Sequence, residues 1–150
     1  MSLATQIDEM IKDAMRAKAA EKLGTLRLLK SAVKYASIEK HGADGQPTDE
    51  EVIVVIRKEA KKRQDSIDSF EKAGRPDAAA KEKSEKNFLE TLLPAGLDEA
   101  AMEALVREAI AETGATSKAQ MGMVMKAASA KAAGRADGKT LSTMVQRLLA

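Results

Sequence analysis

Apolar residues return every three or four positions along most of this chain, the spacing that gathers side chains onto one face of an α-helix. Leu3, Ile7, Met10, Ile11, Ala14 and Met15 trace one such face, and Leu26, Leu29, Val33 and Ala36 trace a second after a short polar break. From His41 to Pro47 the residues Gly42, Asp44, Gly45 and Pro47 predict a loop. Thr48, with Glu51 three residues later, has the form of a capping box, in which each side chain satisfies the other residue's backbone N–H, and so marks the start of a third helix. The stripe of that helix is Val52, Ile56, Ala60, Arg63, Ile67 and Phe70. The run Val52-Ile53-Val54-Val55-Ile56 alone would suit a buried strand, but the helical spacing continues to Phe70 and decides for helix.

Gly74-Arg75-Pro76-Asp77 ends the third helix, with Asp77 placed to cap a charged fourth one that runs to about Leu92. Leu93-Pro94-Ala95-Gly96 then interrupts the chain, because proline has no N–H to donate and restrains the residue before it. Beyond it, Asp98 caps a fifth helix, Ser117 and Gln120 have capping-box spacing for a sixth, and Gly134 and Gly138 bracket a turn. Leu141, Met144, Val145 and Leu148 pattern a seventh helix. The expected fold is all-α: an N-terminal four-helix module, residues 1–93, followed by a small three-helix module, residues 97–150.

Composition narrows the chemistry. With 150 residues and no cysteine, the chain can form a core without staples and has neither disulfides nor a thiolate metal site. Its lone His41 has no serine, cysteine or second histidine arranged around it, so no catalytic, metal-binding or cofactor-binding residue is assigned. Acidic pairs such as Glu50-Glu51 and Asp98-Glu99 fall in first helical turns, where the helix dipole accounts for them. The N-terminal stretch has neither a signal-peptide core nor a spanning segment, which predicts a cytoplasmic protein with no membrane partner. Only Tyr35, Phe70 and Phe88 are aromatic, so Ala, Leu, Ile, Val and Met must build the core, and the tail methionines Met102, Met121, Met123, Met125 and Met144 are read as part of it.

Charge is uneven in the second module. Residues 97–114 hold Asp98, Glu99, Glu103, Glu108 and Glu112 against Arg107 alone, whereas Lys118, Lys126, Lys131, Arg135, Lys139 and Arg147 face only Asp137 from Ser117 onward. Those six cations are the candidate nucleic-acid-binding residues, suited to phosphates because the tail has no aromatic for base stacking. Arg135, Lys139 and the start of the last helix could together hold one phosphate. The segment Ala133-Gly134-Arg135-Ala136-Asp137-Gly138-Lys139-Thr140 also matches a loosened phosphate-loop pattern; such a loop needs a preceding buried strand, and a helical Ala/Lys-rich segment stands there instead, so a plain turn is the preferred reading. On the third helix, Arg57, Lys58, Lys61 and Lys62 crowd like charges at four-residue spacing, with Glu50, Glu51, Glu59 and Asp65 available to neutralise them. Arg63 interrupts an apolar stripe, where its stem can pack and its head can reach a carboxylate.

The order Leu26-Arg27-Leu28-Leu29-Lys30-Ser31-Ala32, Arg57-Lys58, Arg63-Gln64-Asp65-Ser66, Leu92-Leu93-Pro94, Ser117-Lys118-Ala119-Gln120-Met121-Gly122 and Gly134-Arg135-Ala136-Asp137-Gly138 resembles the YqeY family over essentially the whole chain. That family is similar to the helical tail of the B subunit of the tRNA-dependent amidotransferase. The resemblance implies a tRNA-associated role and kinship with carbon–nitrogen ligases that use glutamine as amido-N-donor, while the catalytic machinery of that enzyme lies in other domains and subunits. The chain departs from the family pattern at three places: Gln120 stands where an acid is usual, Ser129-Ala130 replaces a segment that commonly contains proline, and Met123 occupies a position that is often basic. The favoured reading is a tRNA-associated accessory binding protein. A protein-interaction module that docks helices through the Arg63 stripe of the N-terminal module, without RNA, is the alternative, and a ligase component active only inside a complex is a third.

Overall fold

The computed structural model describes residues 1–149 and is all-helical, with seven α-helices and no strand among the described residues. By its contacts the chain divides into two compact units, Met1–Leu93 and Pro94–Ala150. The first contains α1 (Leu3–Arg16), α2 (Ala20–His41), α3 (Asp49–Lys72) and α4 (Pro76–Thr91). Ser2 caps α1 by accepting the Thr5 N–H at 3.1 Å. The capping box of α3 is complete: the Thr48 hydroxyl accepts the Glu51 N–H and the Glu51 carboxylate accepts the Thr48 N–H, both at 3.2 Å. Ile7 from α1, Leu26 and Leu29 from α2, Val52 and Ile56 from α3, and Leu89 from α4 are almost wholly buried in one apolar cluster.

Two details of this unit differ from expectation. Arg75 rather than Asp77 precedes the first turn of α4, because Pro76 takes the first helical position, where its missing N–H costs nothing, and Asp77 lies inside the first turn. His41 closes α2 instead of opening the loop, and its ring nitrogen Nε2 lies 2.8 Å from Glu51 Oε2.

The second unit contains α5 (Glu99–Thr113), a short 3₁₀ turn (Lys118–Gln120), α6 (Met121–Ala132) and α7 (Gly138–Leu148). Asp98 caps α5 through the Ala101 N–H at 2.7 Å. Ser117 and Gln120 do not form the expected box: the 3₁₀ turn intervenes, and Gln120 Oε1 accepts the Thr116 N–H at 2.8 Å instead. The core combines Met102, Val106 and Ala109 of α5 with Val124, Ala128 and Ala132 of α6 and Leu141 and Val145 of α7. Small residues at i, i+4 and i+8 of α6 let the helices approach closely. The opposite side of α6 carries Met123, which is exposed and not part of the core, unlike Met102 and Met144.

Candidate nucleic-acid interface

The tail cations fall into two physically different sets. Lys131, on α6, bridges Glu108 at 3.1 Å and Glu112 at 2.7 Å, two carboxylates one turn apart on α5. These contacts, Glu112 first and then Glu108, raise the Lys131 pKa above its ordinary value. Arg147, on α7, reaches Glu99 at 3.4 Å and Glu103 at 3.5 Å, and its guanidinium also lies 3.0 Å from the Met144 sulfur. Glu103 is held mainly by Arg107 at 2.8 Å, and this hydrogen bond, with Arg147 contributing less, lowers its pKa. The acid-rich stretch and the base-rich stretch are therefore complementary in space, and the unit from Pro94 onward carries seven basic against six acidic side chains.

Lys118, Lys126, Arg135 and Lys139 are exposed and form no ion pair among the described residues. Lys118 belongs to the 3₁₀ turn and Lys126 to the outer side of α6. Arg135 sits in the turn between α6 and α7, where Ala133 and Gly134 adopt positive φ and reverse the chain. Its backbone is fixed at both ends: the Arg135 N–H donates to Ala132 O at 2.9 Å and its carbonyl accepts the Leu97 N–H at 3.1 Å. Its Nε also donates to Ala132 O at 3.4 Å.

The start of α7 does not complete the expected phosphate cradle. Asp137 caps it, accepting the Thr140 N–H at 2.8 Å and the Thr140 hydroxyl at 3.0 Å, so a carboxylate already occupies the positive end of the helix. The loosened phosphate-loop segment forms the turn between α6 and α7 and the first residues of α7. No strand precedes it, so its backbone cannot splay N–H groups around a nucleotide in the manner of a working loop.

In the first unit Arg63 and Lys62 are partnered, whereas Lys58 and Lys61 form no ion pair among the described residues. Arg63 turns to α4, with Nη1 at 3.5 Å from Glu82 and Nε at 3.3 Å from Glu85, all three side chains mostly buried. The Nε contact lacks hydrogen-bond direction and leaves that buried N–H unsatisfied. The head of Arg63 thus serves the α3–α4 packing. Lys62 pairs with Glu59 at 3.0 Å. Glu51 gathers His41, Lys40 and the Thr48 N–H, and its pKa is lowered, the hydrogen bond to His41 being the largest cause. Among the described residues no three His, Cys, Asp or Glu side chains are grouped to hold a metal ion, and no helix is long and apolar enough to cross a membrane.

The paired carboxylates are what sequence reasoning missed. Their signal was present, since Glu99 and Glu103, and Glu108 and Glu112, are each four apart and project from one side of a helix turn. Which cations would meet them depends on helix packing across 19 to 48 residues of chain.

A family model described as Yqey-like protein matches residues 4–149. The chain belongs to the YqeY family. This YqeY-family chain is also similar to an uncharacterized protein of Schizosaccharomyces pombe, C22F3.15, with 32% identity over 93 residues, which span 62% of the chain and 73% of the yeast protein.

Proposed function

We propose that this YqeY-family protein is a tRNA-associated accessory binding protein whose tail contacts phosphates without reading bases. The observation that carries the reading is the set of four exposed, unpaired cations, Lys118, Lys126, Arg135 and Lys139, on a unit with no aromatic side chain. Such a set attracts an anionic backbone and offers nothing on which a base could stack. The resemblance of the family to the amidotransferase B-subunit tail supports tRNA as the RNA class, and on this reading the chain acts beside the ligase chemistry of that enzyme rather than performing it. Lys131 and Arg147 act mainly within the fold, keeping the carboxylates of α5 from repelling phosphate.

Purified protein is titrated with a tRNA mixture at low salt, in parallel with an ATP-turnover assay. Binding that weakens in Arg135→Ala/Lys139→Ala, with no turnover in either protein, is the expected result. Absence of binding at low salt removes the RNA reading and leaves the protein-interaction module.

A further inference from the structure

The α2 helix carries a second apolar stripe, distinct from the one it buries. Leu26, Leu29 and Val33 face the core, whereas Gly24, Leu28, Ala32 and Tyr35, at steps of four, four and three, share another side. Leu28 is 57% exposed and Tyr35 76% exposed, the two most exposed large apolar side chains in the helices of this unit. Leu28 joins two grooves. One, between α2 and α3, holds Tyr35 and is edged by Lys58, Glu59 and Lys62; the other, towards α4, is floored by Ala20 and Gly24 and edged by Glu21, Lys81 and Glu85.

The stripe is self-complementary. We propose that it is the interface of a homodimer in which α2 packs antiparallel against α2 of a second copy. Glu21 and Tyr35 are each seven residues from Leu28, about 10 Å along the helix axis in opposite directions. A two-fold axis through Leu28 therefore sets Leu28 against itself and lays each Tyr35 ring over the Ala20 and Gly24 end of the other copy. There is room for it: a Cβ built at Gly24 meets nothing within 4 Å. Charge follows the same symmetry. At the Tyr35 end Lys62 is already held by Glu59, which leaves Lys58 without an ion pair; at the other end Glu85 is held by Arg63, and Glu21, beside Lys81, is the carboxylate without an ion pair among the described residues. Antiparallel packing brings each Glu21 towards the Lys58 of the second copy, the reciprocal contact that an isologous interface requires.

The test is sedimentation equilibrium of the full chain over a dilution series, using no RNA, so that it stands or falls apart from the tRNA reading. Wild type is expected to dimerise reversibly. Leu28→Asp should weaken association about tenfold or more by placing a carboxylate at the apolar centre. Because Leu28 is exposed in the single chain, helicity by circular dichroism should not change. Glu21→Lys and Lys58→Glu should each weaken association, and the double swap should recover it; this pair decides the matter even if Leu28→Asp folds poorly. A wild type that stays monomeric overturns the proposal and leaves the stripe to a helix of another protein. A dimer indifferent to Leu28→Asp and to the charge swaps overturns it as well, since another face then holds the copies together.

Discussion

The division of the tail cations into paired and unpaired sets makes a quantitative prediction about RNA binding. Each phosphate neutralised by a lysine or arginine releases condensed counterion, so the logarithm of affinity falls with the logarithm of salt by about 0.9 per contact on a duplex. If Lys118, Lys126, Arg135 and Lys139 all engage, the slope for tRNA is about 3.6, and Arg135→Ala/Lys139→Ala should bring it to about 1.8. Lys131 and Arg147 should behave differently, because each already sits between two carboxylates of α5. For either to reach a phosphate it must leave those carboxylates, which then take up cations from solution, so little net counterion is released. Lys131→Ala should therefore leave the slope unchanged while lowering affinity at every salt concentration, since Glu108 and Glu112 are left uncompensated near the RNA. Fluorescence-anisotropy titrations of labelled tRNA at several salt concentrations, for wild type, Arg135→Ala/Lys139→Ala, Lys131→Ala and Lys139→Ala, read these slopes directly. A Lys131→Ala slope reduced as much as that of Lys139→Ala would refute the distinction between the two sets.

Three further outcomes concern the scaffold. Gly24→Ala, in the Leu28→Asp background to exclude self-association, should stabilise the protein by about 0.5–1 kcal/mol in thermal or urea melts, because Gly24 is an exposed helix-interior residue and an added Cβ meets nothing within 4 Å. Leu141→Ala should cost the tail about 2–5 kcal/mol, since Leu141 is 1% exposed, and hydrogen exchange should quicken across α5–α7 while α1–α4 keep their protection. Glu51→Gln should destabilise the protein at neutral pH, and the difference from wild type should vanish in acid. The folded-state pKa of Glu51 lies below its ordinary value of 4.5, so its contribution is complete above that value and is lost as pH falls through the depressed one. Chemical-denaturation midpoints of both proteins across the acid range check the sign.

Where a structural choice depends on neighbours within a turn or two, the chain announces it. Thr48 and Glu51 start α3 as their spacing requires, Asp98 caps α5, and the five β-prone residues from Val52 are helical because their apolar stripe continues with a helical period as far as Ile67. Local rules failed where two of them competed. Pro76 displaced Asp77 from the cap of α4, and the 3₁₀ turn at Lys118 separated Ser117 from the helix it was expected to start. Met123 shows the same limit in side-chain terms: α6 needs only one narrow side for its core, and Val124, Ala128 and Ala132 fill it, leaving Met123 outside.

The candidate site was legible as a set of charges but not as a set of contacts. Reading along the chain, the bases after Ser117 look like one cationic surface; folded, the nearest anions to two of them are carboxylates of α5. This follows from the composition of the tail core. Its helices meet through Val, Ala, Leu and Met, with no aromatic to hold them apart, so side chains of lysine and arginine on α6 and α7 are long enough to reach across to α5. The same compactness decides which cations remain for an external anion. Lys126 projects from the side of α6 away from Val124 and Ala128, while Lys118, Arg135 and Lys139 lie in or beside the turns and pair with none of the α5 carboxylates. Binding of phosphate by this unit is thus a property of its turns and outer helix face, and replacing the α5 acids Glu108 and Glu112 with glutamine should convert Lys131 into a fifth contact and steepen the salt slope by about one unit.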